Sequence, residues 1–88
     1  MADVHVEFYG LARTRTQAET VEVSAVTLGG VARELVAKFP TLDGSCFRDG
    51  QLASAWLFNL NGEQFTRDVT TLLQDGDRVL LMSADAGG

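Results

Sequence analysis

One change in hydrophobic spacing constrains the fold of this chain more than any other feature. Val4, Val6 and Phe8 alternate with polar residues, which is typical of a strand with one buried face. A second alternating strand is predicted at 20–24. From residue 27 the spacing becomes that of a helix until Pro40. The helical stripe consists of Leu28, Val31, Ala32, Leu35, Val36 and Phe39.

Residues at both ends of this segment predict where the helix begins and ends. Thr27 is a typical N-cap residue, and Pro40 predicts that the helix stops near Phe39. Gly29 and Gly30 weaken the first turn, because each disfavours a helix by about 1 kcal/mol relative to Ala. Their presence there predicts a close contact between the helix and the sheet.

Turn signals divide the rest of the chain. The polar segment 11–19 is predicted to be a loop, as is 41–54, which Leu42 and Phe47 would anchor to the core. An apolar strand follows at 55–60, and Asn61-Gly62 predicts a hairpin turn into a short strand at 63–66. After a brief turn around Leu72 and Leu73, Asp75-Gly76-Asp77 predicts a tight turn into a final strand at 78–83.

This order of elements predicts an α+β fold of the ubiquitin-like β-grasp type. One main helix would pack on one face of a mixed sheet of four to five strands, with the first and last strands parallel at its centre. The expected domain spans 1–83, and 84–88 would be a flexible C-terminal tail that ends in Gly-Gly.

The composition narrows the possible partners. With 12 acidic and 7 basic side chains the net charge is −5, which disfavours nucleic acid and favours a partner protein with a basic surface. No segment resembles a signal peptide or a membrane span, so we expect a cytoplasmic protein that binds no membrane.

Few side chains in the chain support catalysis or metal binding. Cys46 is the only cysteine, so neither an internal disulfide nor an iron–sulfur cluster can form. His5 is predicted to be an ordinary surface histidine, and Trp56 a core residue. Asp75 and Asp77 alone are weak grounds for a cation site. We therefore expect no enzyme, no metal and no bound cofactor.

Several motifs together resemble the MoaD/ThiS family of ubiquitin-like sulfur carriers, most of all the small subunit of molybdopterin synthase. The resemblance spans nearly the whole chain, and its most specific part is the Asp-Gly-Asp turn and strand followed by a terminal diglycine. The matching segments are 4–13, Phe39-Pro40, Leu60-Asn61-Gly62-Glu63, 73–79 and Gly87-Gly88.

The resemblance implies that the protein works through its C-terminal residue. A ubiquitin-activating-type adenylating enzyme would use ATP to adenylate the Gly88 carboxylate, which sulfide transfer would convert to a thiocarboxylate. Gly87 and Ala86 would let the tail thread into a sulfur-accepting enzyme, such as the large subunit of molybdopterin synthase. The chain would have no catalytic residue of its own.

Strand alternation adds a candidate docking patch. In the final strand Val79 and Leu81 would face the helix, which leaves Leu80 and Met82 on the outside beside the tail. Such a pair of side chains suits partner docking, although isolated apolar residues on a surface are equally common.

Three alternatives stay open at this stage. Molybdopterin-type carriers have a proline-containing apolar segment before the diglycine, whereas this chain has Ser83-Ala84-Asp85-Ala86. The carrier could therefore serve thiamine, cysteine or another thiolation pathway. It could also be a protein modifier joined through Gly88 to a lysine, or a plain β-grasp binding module.

Overall fold

The computed structural model describes residues 2–83 and shows a five-stranded mixed sheet with one main helix packed against it. The strands are β1 (Ala2–Phe8), β2 (Thr20–Ala25), β3 (Phe47–Arg48), β4 (Gln51–Leu52), β5 (Trp56–Leu60), β6 (Gln64–Thr66) and β7 (Arg78–Ser83). The helices are α1 (Leu11–Thr16) and α2 (Leu28–Lys38), and a 3-10 turn covers Pro40–Leu42. No helix within 2–83 is both long and apolar enough to cross a membrane.

The strand order confirms the predicted β-grasp arrangement. The sheet runs β2-β1-β7-β5-β6, and only the central pair, β1 and β7, is parallel. In that pair Val6 lies beside Val79, and both side chains are fully buried. Strands β3 and β4 form a separate small hairpin. The last strand of the chain therefore lies in the middle of the sheet, where its neighbours hold it on both sides.

Helix α2 begins and ends where its sequence signals predict. The Oγ1 of Thr27 accepts a hydrogen bond from the Gly30 N–H at 3.1 Å, as an N-cap residue does. The helix ends at Lys38, just before the 3-10 turn that Pro40 begins. The predicted stripe faces the sheet, and the Phe39 ring meets the Phe8 ring edge-on, with centroids 5.4 Å apart. Burial of this stripe provides the main apolar contact between helix and sheet.

The two glycines of α2 make close contacts, but only one of them contacts the sheet. A Cβ at Gly30 would lie 3.1 Å from the Cβ of Ala25 in β2, which confirms the prediction for that residue. At Gly29 the close neighbour is the Val69 carbonyl oxygen, 3.2 Å from the position of a Cβ and a partner of the Gly29 N–H at 2.8 Å. The loop before β7 therefore packs against the start of α2.

Two segments predicted to be loops contain short regular elements. Segment 11–19 includes α1, whose single buried residue, Ala12, is too little to give a helical hydrophobic stripe. Segment 41–54 includes the end of the 3-10 turn and the β3–β4 hairpin, whose strands have two residues each. Leu42 and Phe47 are buried, which confirms that they anchor this segment to the core.

Candidate functional site

The residues predicted to carry the chemistry lie outside the described part of the chain. Gly88, Gly87 and Ala86 follow the last described residue, Ser83, at the end of β7. Their proposed roles therefore remain predictions. The structure does describe β7, the strand that precedes these residues, and both faces of the sheet around it.

Side chains along β7 alternate as the sequence predicts. Val79 and Leu81 are fully buried on the face that α2 covers. Leu80 and Met82 are half-buried on the opposite face, which is called the outer face here. The prediction that these two residues point away from α2 is confirmed, whereas their position beside the tail and their role in docking stay predictions.

Cross-strand pairing places further apolar residues beside this pair. Met82 lies opposite Leu57 of β5, and Leu80 lies opposite Asn59 of the same strand. Asn59 in turn lies opposite Phe65 of β6, whose side chain is 64% exposed. Residues directly opposite each other in a sheet share a face. A cluster called the outer patch therefore forms from Leu57, Asn59, Phe65, Leu80 and Met82.

The sequence pattern does not indicate three members of the outer patch. For the segment around Leu57 and Asn59 it predicts only an apolar strand and does not assign the two faces. Phe65 lies in a three-residue strand, which is too short to show alternation. An aromatic residue in so short a strand beside a hairpin turn was the one available signal.

The other half of the outer face is polar and mostly acidic. On β1 and β2 it presents Glu22, with its Oε1 2.6 Å from Nδ1 of His5, and Asp3, which accepts a hydrogen bond from the Ser24 hydroxyl at 3.0 Å. Glu7 receives a 2.7 Å hydrogen bond from the Arg78 guanidinium at the boundary with β7. This region is called the acidic half. His5 is a partly exposed surface residue, as predicted.

The Asp-Gly-Asp turn sets the position of β7 through hydrogen bonds. The Asp75 carboxylate accepts from the Asp3 N–H at 2.8 Å, and the Gly76 N–H donates to the Asp3 carbonyl at 2.9 Å. The Asp77 carboxylate accepts from the Asn61 side-chain amide at 3.1 Å. Asn61 also accepts from the Arg78 N–H at 2.8 Å. Two motifs of the resemblance, the hairpin turn that begins at Asn61 and the Asp-Gly-Asp turn, therefore meet in space and tie β1, β5 and β7 together.

An arginine holds the loop beside the end of β7. The Arg67 guanidinium donates hydrogen bonds to the backbone carbonyls of Trp56, Leu52 and Ala53. Trp56 pairs with Ser83, the last described residue. Arg67 therefore fixes the backbone next to the point where the tail begins, and no sequence pattern indicated this role.

Cys46 is not an activated nucleophile. Its side chain is fully buried, as is the ring of its neighbour Phe47. Burial raises the pKa of the Cys46 thiol, and the Ser45 hydroxyl and the Arg15 charge oppose that rise only in part. The thiol therefore stays protonated at neutral pH.

Known proteins resemble this chain in family pattern and in fold. A model described as the ThiS family matches residues 6–88. No curated protein matches the chain by sequence. The small archaeal modifier protein SAMP1 of Methanosarcina acetivorans is 24% identical and superposes with a TM-score of 0.86, over 100% of this chain and 98% of that one.

Two other solved structures broaden the comparison. CysO of Mycobacterium tuberculosis is 27% identical over 92% of this chain and 98% of its own, with a TM-score of 0.71. A chain of the complex between subunits 1 and 2 of molybdopterin-converting factor from Helicobacter pylori 26695 is 21% identical over 92% of each chain, with a TM-score of 0.62.

These findings agree with the geometry of the sheet and of the turn before β7. The family match begins within β1 and continues through β7 to Gly88, so it includes every element that positions the tail. The family consists of small carrier proteins rather than catalysts, and the resemblance seen in the sequence is confirmed. The chain belongs to the ThiS family of ubiquitin-like sulfur carrier proteins.

Proposed function

We propose that this protein carries sulfur as a thiocarboxylate on Gly88. The observation that supports this most strongly is the family match, which extends through the central strand β7 to the diglycine. A terminal carboxylate has a pKa of about 3.5, so at neutral pH it is ionised and a poor electrophile. It has to be activated before sulfur can be added, and this chemistry requires a free carboxylate on Gly88.

The chemistry would proceed in two balanced steps on a partner enzyme. The Gly88 carboxylate attacks the α-phosphorus of ATP, and pyrophosphate leaves to give an acyl-adenylate. A sulfide donor then attacks the acyl carbon. The bond between that carbon and the phosphate oxygen breaks, and AMP leaves with its electron pair. Glycines at 87 and 88 suit a narrow active site, because they have no side chain to collide with its walls.

The outer patch is proposed as the surface that docks the adenylating enzyme. Leu80 and Met82 lie on the strand that leads directly to the tail, and Leu57 and Phe65 extend the apolar surface around them. The adjoining acidic half would attract a basic surface and favour correct orientation.

We propose a molybdopterin synthase large subunit as the sulfur acceptor. The similar chain from Helicobacter pylori belongs to a complex of the two subunits of molybdopterin-converting factor, which supports a partner of this kind. The second candidate is a protein modifier joined through Gly88 to a lysine. The similarity to small archaeal modifier proteins favours that alternative.

Intact-mass measurement tests the carrier chemistry. The chain is incubated with ATP, sulfide and the adenylating enzyme of its source organism. Exchange of one carboxylate oxygen for sulfur adds about 16 mass units, the difference between the two atoms, and a thiol-reactive tag then distinguishes sulfur from oxidation. We expect tagging in the Cys46→Ala variant and none in a Cys46→Ala variant that also lacks Gly88. Equal tagging of both variants would contradict the proposal.

A conjugation assay separates the two candidates. In extracts of the source organism, a tagged chain that acts as a modifier would appear in conjugates whose peptides carry Gly88 linked to a lysine. A sulfur carrier would instead restore molybdopterin formation by a purified large subunit, and only in its thiocarboxylate form. Conjugates in the absence of such restoration would replace the first candidate with the second.

A further inference from the structure

The sheet ends on one side in a strand whose outer edge is open. Strand β2 pairs with β1 in unbroken antiparallel register. The Phe8 N–H donates to the Glu19 carbonyl at 2.9 Å, and the residue pairs of an antiparallel ladder alternate between hydrogen-bonded and non-hydrogen-bonded positions. Counting from that bond, the main-chain groups of Thr20, Glu22 and Ser24 point away from β1.

These outward groups have no partner in the part of the chain that the structure describes. Within residues 2–83 no hydrogen bond reaches the main-chain N–H or C=O of Glu22 or Ser24, and both residues are exposed. Proteins usually protect a sheet edge with a short strand, a lysine, a proline or a bulge. The opposite edge, β6, has only three residues, whereas β2 has six and none of these protections. Strand β2 can therefore pair with a strand from another molecule.

A groove between β2 and α2 runs along this edge. Its volume is about 450 Å³, and it is lined by Asp3, Glu22, Val23, Ser24, Glu34 and Lys38. An extended segment laid against β2 would turn alternate side chains to the two faces of the sheet. Those on the α2 side would meet Val21 and Val23, and those on the other side would meet Glu22. The groove therefore fits a segment in which apolar and polar residues alternate.

Charge decides which polar residues suit the groove. Three acids line it, Asp3, Glu22 and Glu34, against one base, Lys38. Arg33 lies in a separate hollow nearer the start of α2, beyond this acidic part. Opposite charges on neighbouring strands stabilise their pairing. Basic residues are therefore favoured at the positions of the segment that lie beside Glu22.

A second copy of the chain fits the edge less well than a basic segment does. If two β2 strands paired antiparallel about a position at Glu22, the two Glu22 side chains would lie directly opposite each other on one face. Like charges in that arrangement are destabilising. Each copy also carries a net charge of −5, which adds to the repulsion.

We propose that the open edge of β2 binds an extended segment of another protein in which basic residues alternate with apolar ones. The segment adds a sixth strand to the sheet, with main-chain hydrogen bonds to Glu22 and Ser24. Its apolar side chains pack beside Val23, and its basic side chains lie along Glu22. Strand β1 separates this edge from β7, so the outer patch stays free and two partners can be bound at once. The inference does not rest on the proposed function.

Synthetic peptides test the proposal on the full chain. The probe is a labelled heptapeptide of alternating lysine and valine, and its Kd is measured by fluorescence anisotropy. Two further versions carry backbone N-methyl groups, on every lysine or on every valine, because an added strand turns only alternate N–H groups toward β2. We expect only one of the two to bind at least about tenfold more weakly than the parent peptide. Equal affinities of all three peptides would show mere charge attraction and overturn the proposal.

A pair of protein variants tests the same edge from the other side. Ser24→Pro removes the outward N–H but none of the bonds to β1, which Val23 and Ala25 make, and such edge positions tolerate proline. Ser24→Ala is the matched control, since it also loses the hydroxyl bond to Asp3 but keeps the N–H. Peptide binding should weaken at least about tenfold in Ser24→Pro and less than about threefold in Ser24→Ala. Equal binding by the two folded variants would contradict the proposal.

Amide hydrogen exchange of the wild type needs no variant and covers the case in which Ser24→Pro does not fold. The Glu22 and Ser24 amides should exchange at least about fivefold more slowly when the peptide is bound. The Val23 amide, which already bonds to β1, is the internal control and should change little. Unchanged exchange at Glu22 and Ser24 would place the peptide elsewhere and overturn the proposal.

The remaining outcomes also decide the question. If the lysine–valine peptide does not bind the wild type, the proposal is wrong. Sedimentation shows whether the chain self-associates, and a dimer that Ser24→Pro dissociates while Ser24→Ala does not would assign the edge to a second copy. None of these measurements involves adenylation, so failure of the proposal leaves the proposed function standing.

Discussion

The two faces of the sheet use similar residues for different purposes. Along β7, Val79 and Leu81 are fully buried on the inner face, whereas Leu80 and Met82 are half-buried on the outer face. Helix α2 covers the inner face, and the buried residues of both helices belong to the core. The difference shows that hydrophobic side chains of one strand can serve both stability and recognition, and that the covering element decides which.

A second contrast lies within the outer face itself. On β5, β6 and β7 it is largely apolar, whereas on β1 and β2 it carries the acidic half. The boundary follows the parallel pair β1–β7, where Glu7 lies beside Leu80. A partner that spans this boundary would meet apolar surface on one side and negative charge on the other.

The largest expected effect is on the inner face. Leu81→Ala leaves a cavity beside Phe58, its opposite residue, and should lower the free energy of unfolding by about 2–5 kcal/mol. Urea denaturation followed by tryptophan fluorescence measures this change. The folded Leu81→Ala variant should have the same KM for adenylation as the wild type. A loss below about 1 kcal/mol would show that the inner face is not the main core.

Phe65→Ser should have the opposite effects from Leu81→Ala, with little change in stability and a large change in the KM for adenylation. Because the side chain is 64% exposed, the free energy of unfolding should change by no more than about 0.5 kcal/mol. The KM for the adenylating enzyme should rise about 10- to 30-fold, as for an aromatic anchor in an interface. Leu72→Ser is the matched control, since Leu72 is 73% exposed outside the outer patch and should leave KM unchanged. Equal effects of the two variants would place the interface elsewhere.

The contribution of the Cys46 thiol to the stability of the inner core should depend on pH. Its pKa is raised by burial, so between the unfolded and folded pKa values only the unfolded state gives up the proton. The stabilising contribution is complete below the pKa of the unfolded thiol and declines by at most about 1.4 kcal/mol per pH unit above it. Thermal midpoints of wild type and Cys46→Ala at pH 7 and pH 10 measure the difference. A pH-independent difference would show that the thiol is not desolvated.

Glu7→Gln tests the acidic half. Its effects on stability and on the association rate should be the smallest of the four variants. Loss of the Glu7–Arg78 ion pair should cost less than about 1 kcal/mol, because Arg78 is largely exposed. The association rate with a basic partner should fall about two- to threefold at low salt, and the difference should vanish at high salt. Glu34→Gln, the same charge change on an exposed residue of α2, is the control. Stopped-flow association at two salt concentrations distinguishes the variants.

Local signals accounted for most of the fold. Thr27 and Pro40 marked the limits of α2, and alternation sorted the faces of β1 and β7, because these features depend on neighbours a few residues away. The sequence does not indicate helix α1 or the β3–β4 hairpin, because elements this short bury too few side chains to produce a periodic pattern.

The sequence by itself determined the β-grasp order of elements, the terminal diglycine and the outward direction of Leu80 and Met82. Only the tertiary structure decided which residues accompany that pair. Asn59 and Phe65 reach it through pairings between strands that are separated in sequence. Only the tertiary structure also shows the hydrogen bonds of Arg67 near Ser83 and, within residues 2–83, the unpaired oxygen of Asn59. Local periodicity specifies which side of a strand is buried, whereas register between distant strands specifies which side chains meet.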